Sequence, residues 1–149
     1  MRIILQRVIS ASVRTGHQTI GSIDSGLLLL VGFGGCDVDD VDTKIIKASN
    51  KIINLRVFAN SADKLDHSLL DINGEILAVP QFTLYGKSLK GRRPDFTDAM
   101  PPEAAEIAFN KFCQVLSDSM GRPVSTGQFG ADMQVALIND GPFTLQLDF

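Results

Sequence analysis

The alternation of apolar and polar residues divides much of the chain into short segments that predict β-strands. Ile3 to Val13 is rich in β-branched residues and alternates in part, which is typical of a long first strand. Two further strands are expected at Gln18 to Ile23 and at Leu27 to Phe33. The same pattern predicts five more strands, at Arg56 to Phe58, Glu75 to Leu84, Val124 to Thr126, Gln134 to Asn139 and Phe143 to Phe149.

Two other segments repeat their apolar residues every three or four positions, as an amphipathic helix does. The first runs from about Val38 to Leu55, and lysines occupy its remaining face. The second begins at Pro101-Pro102 and ends at Gly121, an arrangement of proline and glycine that suits a helix. Because the helices are widely separated, a regular βαβ alternation is not expected. The pattern predicts one α+β domain over residues 1–149, with a mainly antiparallel, barrel-like sheet and two main helices.

The composition and the first residues of the chain also predict where the protein is located in the cell. With 149 residues, 44% of them apolar and 21% charged, the chain can bury a core. The start of the chain lacks the apolar region of a signal peptide, and the longest apolar run, Leu27 to Val31, is too short to span a bilayer. We therefore expect a cytoplasmic protein without a membrane partner. Cys113 is expected to be buried and inert, and Cys36 to be a loop cysteine without a catalytic role.

Most sequence signatures of catalysis are missing. The chain has no G-x-S-x-G, H-E-x-x-H, C-x-x-C or Walker sequence. Its two histidines, His17 and His67, lie in polar, turn-like surroundings and are expected to be exposed. We predict neither a metal nor a cofactor, so an enzyme built on this chain would depend on backbone groups and a hydroxyl.

Three local features could still form a site. Gln81 and Thr83 follow a predicted strand, where they either line a site or satisfy the backbone at a sheet edge. The pair Gly141-Pro142 either fixes two carbonyls in a functional direction or is an ordinary hairpin turn. Arg7 lies on an otherwise apolar strand face, so it needs carbonyls or a carboxylate as partners.

A compact basic cluster follows the first of these features. Four cations fall within seven residues of a chain whose net charge is −3: Lys87, Lys90, Arg92 and Arg93. An acidic protein binds nucleic acid poorly in a non-specific manner, but a basic loop beside a site can hold a few phosphates. The alternative is a solvated loop.

Five motifs in order along the chain together resemble one known family, the D-aminoacyl-tRNA deacylases, also called D-tyrosyl-tRNA deacylases. They are Gln6-Arg7-Val8, Pro80-Gln81-Phe82-Thr83-Leu84, Gly91-Arg92-Arg93-Pro94-Asp95-Phe96, Gly127-Gln128-Phe129-Gly130-Ala131-Asp132-Met133 and Asn139-Asp140-Gly141-Pro142-Phe143-Thr144. The resemblance covers essentially all 149 residues. It implies hydrolysis of the ester that joins a D-amino acid, or glycine, to the 3′ end of tRNA. It also implies a homodimer with sites at the subunit interface, a tRNA partner and no DNA partner.

The resemblance assigns roles to residues of the pocket. Gln81, Phe82 and Thr83 would be the catalytic segment around the terminal adenosine and the ester. Phe129 and Met133 would pack against the adenine. Hydrolysis would proceed with the ribose 2′-hydroxyl assisting water, or with Thr83 as a nucleophile, although no base is evident near it.

The resemblance also assigns roles outside the pocket. Gly141-Pro142 would be a cis pair that one subunit inserts into the other's pocket, where its carbonyls meet the substrate amino group and its bulk excludes an L side chain. Arg7 would hold this turn in place. The basic residues would contact tRNA phosphates: Lys87, Lys90, Arg92 and Arg93.

One position departs from the family pattern, because Pro80 stands where serine is usual. A related deacylase that removes mischarged L-alanine shares this proline, but it has alanine in place of Phe82 and lacks the arginine corresponding to Arg7. Removal of L-alanine therefore remains an alternative function. A tRNA-binding module without catalysis is the second alternative.

Overall fold

The computed structural model describes residues 1–89 and 91–149. In these residues the strands are β1 (Arg2–Thr15), β2 (Gln18–Ile23), β3 (Gly26–Gly32), β4 (Phe58–Ala59), β5 (Leu65–His67), β6 (Glu75–Pro80), β7 (Ser125–Thr126) and β8 (Gln134–Asp148). The two α-helices are α1 (Val41–Asn54) and α2 (Pro102–Met120). Short 3₁₀ helices occupy Gly35–Asp37 and Phe82–Tyr85.

The main sheet is mixed. β1 pairs with β2, β3 and β8 in antiparallel fashion, while β6 runs parallel to both β3 and β7. β2 returns towards β7, so that a Cβ atom on Gly21 would lie 2.8 Å from the carbonyl oxygen of Thr126, and the sheet nearly closes into a barrel. The predicted α+β class, barrel-like sheet and two helices are confirmed. The sheet is less antiparallel than predicted because α1 and α2 each lie between two parallel strands along the chain.

The sheet buries residues on both of its faces. One cluster, which includes Ile3, Leu29 and Phe112, fills the space between the sheet and the two helices. The second cluster, which includes Val8 and Leu77, fills the inside of the barrel. Alternation places Val8 of β1 in the second cluster, opposite Ile3. The irregular pairing of β1 with β8 around Val8 adds Ala11 and Val13 to the same cluster, although strict alternation would place them on the face of Ile3.

The irregularity in β1 corrects one sequence-based expectation. Strict alternation placed Ile9 on the same face as Ile3 and Leu5. Ile9 is instead 56% exposed, whereas Ile3 and Leu5 are fully buried. A bulge changes which residues point inward, and alternation alone does not reveal it.

Several element boundaries also differ from those predicted. α1 begins at Val41 because the 3₁₀ helix precedes it. β6 ends at Pro80 because the following residues form the second 3₁₀ helix. The two C-terminal strands are one strand, β8, which continues through Gly141-Pro142. α2 matches within one residue, and Gly121 ends it with a φ of 66°.

Cys113 lies as the sequence predicted, whereas Cys36 belongs to the first 3₁₀ helix and not to a loop. Cys113 is buried in α2, and burial raises the pKa of its thiol to about 12. Cys36 is exposed. Among the described residues, no helix is long and apolar enough to cross a membrane.

Candidate active site

A cavity of about 680 Å³ lies where β6 ends. One wall comes from Gln81 and Phe82, directly after the strand, and the facing wall comes from Phe129 and Met133. Phe96 and the first residues of α2 complete the lining. The cavity therefore joins three of the five sequence motifs, which are spread over residues 80–133 of the chain.

Residues 81–85, called the site turn below, leave the sheet at a defined point. The N–H group of Gln81 donates to the carbonyl of Val31 at 2.7 Å, which continues the parallel ladder by one bond beyond Pro80. The next residues form the 3₁₀ helix, and the side-chain amide of Gln81 donates to the hydroxyl of Thr83. Pro80 is thus accommodated at the strand end, where its missing N–H group is not needed.

Phe82 and Thr83 present different groups to solvent. Phe82 is 55% exposed and contacts the ring of Phe96 edge-on, with 5.1 Å between ring centroids. Thr83 is exposed beside Gln81 but does not line the cavity. The first N–H groups of a helical turn have no acceptor within it, so the amides of Phe82 and Thr83 are available to a ligand.

The facing wall is apolar and anchored in the core. The ring of Phe129 lies 6.5 Å from that of Phe109 in α2, between ring centroids. Met133 is half-buried and packs against the cluster inside the barrel. A wall of one aromatic ring and one thioether suits the flat face of a nucleobase.

Asp132 is the only ionisable side chain among the described residues that line the cavity. Asp132 is exposed and lies within the motif that contains Phe129, although no role for it is apparent in the sequence. No group of three His, Cys, Asp or Glu side chains suited to a metal ion occurs in the described part of the chain. Apart from Asp132, the polar groups that line the cavity are backbone amides and carbonyls, the side-chain amide of Gln81 and the hydroxyl of Thr97.

Arg7 and the pair Gly141-Pro142, called the Gly-Pro turn below, form a second constellation. Arg7 donates to the carbonyl of Asp140 at 3.1 Å and to that of Val57 at 2.5 Å, and its Nε lies 3.1 Å from the Asp140 carboxylate. Its guanidinium also lies over the ring of Phe143. Arg7 thus holds the residues on both sides of the Gly-Pro turn and has the carbonyl and carboxylate partners that the sequence predicted.

The Gly-Pro turn is exposed, and its peptide bond is cis. Gly141 has a φ of 124°, a conformation that L side chains rarely adopt. A Cβ atom there would lie 3.0 Å from Nη2 of Arg7. The backbone conformation favours glycine at this position, and the close approach of Arg7 leaves little room for a side chain.

The Gly-Pro turn does not line the cavity of its own chain. It lies three strand-to-strand steps from Pro80, which is roughly 14 Å across the sheet. In the strand register, Arg7 is opposite Leu27, and Leu27 is opposite Ile76. Pro80 follows Ile76 by four residues, which adds roughly 13 Å along the strand direction. Within one chain the two constellations remain apart.

The basic loop lies next to the cavity. Backbone bonds between Lys87 and Asp95, at 2.7 and 2.9 Å, close the loop, and Phe96 follows at once in the cavity wall. Lys87 also pairs with Asp98 at 2.7 Å. Arg92 and Arg93 are exposed, while Lys90 lies outside the described residues.

Comparison with known proteins identifies the class to which this fold and cavity belong. The family described as D-Tyr-tRNA(Tyr) deacylase matches residues 4–148. The chain therefore belongs to this family of hydrolases.

Relatives and solved structures agree with that assignment. D-aminoacyl-tRNA deacylases of Clostridium botulinum (strain 657 / Type Ba4) and Thermosipho africanus (strain TCF52B) are 49% and 47% identical over 148 residues, which is 99% of this chain and 97% of each relative. A structure named c-Myc DNA Unwinding Element Binding Protein has a TM-score of 0.90 and 41% identity, covering 100% of this chain and 99% of that one. A probable eukaryotic D-amino acid tRNA deacylase has a TM-score of 0.85 at 21% identity, covers 99% of this chain and 98% of that one, and supports the fold alone.

The structure brings together only some of the residues singled out in the sequence. Four of them line the cavity: Gln81, Phe82, Phe129 and Met133. Phe96 and Asp132 were missed as lining residues, and their places within two of the five motifs were the only signal that could have found them. The catalytic and binding roles of all these residues stay predictions.

Proposed function

We propose that residues 1–149 form one deacylase domain that hydrolyses the ester of D-aminoacyl-tRNA and of glycine attached to tRNA, releasing the free amino acid. Membership of the deacylase family supports this reaction. The observation that carries it to this chain is the cavity, which the start of the site turn, Gln81 and Phe82, lines together with the apolar side chains of Phe129 and Met133. The chain keeps Phe82 and Arg7, which favours D-aminoacyl substrates over mischarged L-alanine.

In the proposed mechanism, water attacks the carbonyl carbon of the ester and the bond to the ribose 3′ oxygen breaks. The proton that water loses reaches the 3′ oxygen through the neighbouring 2′-hydroxyl. The amides of Phe82 and Thr83 donate to the oxyanion, and the side-chain amide of Gln81, which lines the cavity, lies beside the ester. An aminoacyl ester is already labile, so the required reduction of the activation barrier lies at the low end of the range for enzymes, about 8 kcal/mol. The reaction therefore requires little from side-chain acids and bases.

The Gly-Pro turn acts in the cavity of a second copy of the chain in this proposal. Its distance from the cavity of its own chain supports a homodimer, because only a partner can bring it to the substrate. Ile9 and Ile138 lie near the turn and are 56% and 58% exposed, so an apolar surface is available for a partner. The carbonyls of the turn would accept from the substrate ammonium, and its bulk would occupy the space of an L side chain.

Release of tyrosine from D-Tyr-tRNA by the purified chain tests the reaction directly. A protein that binds the tRNA without releasing tyrosine would be the non-catalytic binding module instead. Release of L-alanine from mischarged tRNA in preference to D-tyrosine would favour the alternative deacylase. That the chain acts in the cytoplasm and binds no DNA stays a prediction.

The role of Thr83 is tested by removing its hydroxyl. We expect Thr83→Ala to keep at least about a third of wild-type kcat, because the mechanism uses the amide of this residue and not its side chain. Single-turnover hydrolysis of D-Tyr-tRNA measures the effect, with Thr83→Ser as the matched control. A loss of several orders of magnitude in Thr83→Ala alone, with tRNA binding intact, would identify Thr83 as the nucleophile.

The basic loop is tested through the salt dependence of tRNA binding. Arg92 and Arg93 are the better targets, since Lys87 is paired with Asp98 and Lys90 lies outside the described residues. Removal of one cation that neutralises a phosphate should flatten the slope of log K against log salt by roughly 0.7 to 0.9. We expect the double alanine variant to bind D-Tyr-tRNA more weakly at low salt, with a shallower slope and unchanged chiral discrimination.

The matched control for the loop removes two positive charges from another surface. Lys47 and Lys51 are exposed on α1, so their double alanine variant has the same change in net charge. Its slope should remain close to that of the wild type. Equal slopes in all three proteins would mean that the loop is solvated and that tRNA is held elsewhere.

A further inference from the structure

The segment Gly32 to Asp37 lies directly beneath the site turn, although the proposed reaction gives it no role. A Cβ atom on Gly32 would lie 2.8 Å from the carbonyl oxygen of Gln81. A Cβ atom on Gly34 would overlap the ring of Tyr85, with 2.8 Å to Cζ. These two glycines therefore allow the site turn to pack onto the backbone at the end of β3.

The buried side chain of Asp37 anchors the site turn through Tyr85. The Asp37 side chain is 1% exposed and accepts a hydrogen bond from the hydroxyl of Tyr85 at 3.1 Å, the last residue of the 3₁₀ helix. The same carboxylate accepts from the N–H group of Gly34 at 2.7 Å and pairs with Lys44 at 2.7 Å. The N-terminal ammonium of Met1 completes the set at 2.6 Å.

These donors keep the carboxylate of Asp37 charged. Burial acts to raise the pKa of Asp37, but hydrogen bonds from Lys44, the ammonium of Met1 and Gly34 outweigh it and hold the pKa at about 2. Asp37 is therefore an anion throughout the neutral range. An anion with two cationic partners and a backbone donor is a rigid acceptor for the hydroxyl of Tyr85.

Arg2 holds the site turn from a second direction. Its guanidinium donates to the carbonyl of Leu84 at 3.0 Å and lies 5.4 Å from the centroid of the Tyr85 ring. Arg2 is itself fixed by Asp148 at 2.7 Å. The C-terminal half of the site turn is thus held at both a backbone carbonyl and a side-chain hydroxyl.

We propose that Asp37 is a positioning residue for hydrolysis, which acts through Tyr85 to fix the amides of Phe82 and Thr83 relative to the ester. The proposal rests on the proposed deacylase function. An oxyanion site depends on donors held within a few tenths of an ångström, so a site turn that is free to shift loses stabilisation of the transition state and not binding of the tRNA. The effect should therefore appear in kcat and leave KM nearly unchanged.

Two single substitutions test the contact without removing the buried carboxylate. Tyr85→Phe deletes only the hydroxyl, and Gly34→Ala places a methyl group against the Tyr85 ring. Gly34 has a φ of −96°, so alanine is compatible with its backbone. We expect each variant to lower kcat for D-Tyr-tRNA about tenfold, with KM within about twofold of the wild type, which corresponds to about 1.4 kcal/mol in the transition state.

Gly35→Ala is the matched control. It makes the same chemical change one residue further along, where the nearest atom to the new methyl group would be the carbonyl oxygen of Asp98 at 3.7 Å, an ordinary contact. Its kcat and its thermal unfolding midpoint should equal those of the wild type. A double-mutant cycle then compares Asp37→Asn, Tyr85→Phe and the double variant Asp37→Asn/Tyr85→Phe. If the double variant loses no more kcat than Asp37→Asn alone, the two residues act through the same contact.

A spectroscopic readout tests the contact independently of activity, because Tyr85 is the only tyrosine in the chain. Burial first and then the charge and hydrogen bond of Asp37 raise the pKa of Tyr85 well above its usual value, with a smaller contribution from Cys36 and an opposing one from Arg2. In Asp37→Asn the tyrosinate absorbance should therefore appear at lower pH. Wild-type kcat in both Tyr85→Phe and Gly34→Ala, in a chain that hydrolyses D-Tyr-tRNA, would overturn the positioning role. A wild-type chain that releases no tyrosine would instead overturn the proposed function, and this inference with it.

Discussion

Hydrolysis of D-Tyr-tRNA should exceed that of L-Tyr-tRNA by at least about a hundredfold in kcat/KM, a difference of about 2.7 kcal/mol. Gly-tRNA should be hydrolysed as well, since glycine has no side chain on either side of its α-carbon. The physical reason is steric: the Gly-Pro turn of the partner would occupy the space of an L side chain while its carbonyls hold the ammonium. Parallel single-turnover assays with the three substrates measure the ratio, and comparable rates on both enantiomers would contradict the proposal.

Substitution of Arg7 tests whether the Gly-Pro turn is responsible for the discrimination between D-Tyr-tRNA and L-Tyr-tRNA. Arg7→Ala removes the donors to Asp140 and Val57, so we expect the turn to lose its fixed direction and the discrimination to fall at least about tenfold. Arg14→Ala is the matched control, because Arg14 lies on the same strand and bonds to Gln134 of β8 at 2.7 Å, away from the turn. Equal discrimination in both variants would show that Arg7 has only a structural role.

The sequence predicts well those parts of the fold that local patterns determine. The buried run in β3 and the amphipathic repeats of α1 and α2 are visible within windows of a few residues, and the structure has them nearly where the patterns predict them. The parallel pairing of β3 with β6 is not visible in this way. More than forty residues separate the two strands along the chain, and the small β4–β5 ribbon interrupts the pattern between them.

The segments of the candidate site can be predicted from the sequence, but their supports cannot. Gln81 and Phe129 fall in motifs that the resemblance singles out, and both line the cavity. In the sequence, by contrast, Asp37 is one of several acids at the start of a helix, and the glycines before it have no assigned role. Only the tertiary structure places Tyr85, from almost fifty residues away, against this segment, so no local pattern could have indicated the contact.

Two variants that are each inactive should restore activity when they share a dimer. Gly141→Val disables the Gly-Pro turn, because its side chain would contact Arg7 and its backbone φ of 124° is unfavourable for valine. Gln81→Ala disables the cavity by removing the side-chain amide that lines it beside the ester. In a mixed dimer, the intact cavity of the first chain would receive the intact turn of the second, which assembles one complete site.

Random pairing of equal amounts of the two chains gives mixed dimers in half of the cases, each with one of its two sites complete, so about a quarter of wild-type activity is expected. Co-expression with two different C-terminal affinity tags isolates the mixed dimers, which should show about half of wild-type activity. Tagged wild-type dimers and a mixture of Gly141→Val with the double variant Gly141→Val/Gln81→Ala serve as controls, and the latter should stay inactive because no intact turn is present. Mixed dimers as inactive as their parents would mean that the cavity does not receive the Gly-Pro turn from a partner, and the distance between the two constellations within one chain would then need another explanation.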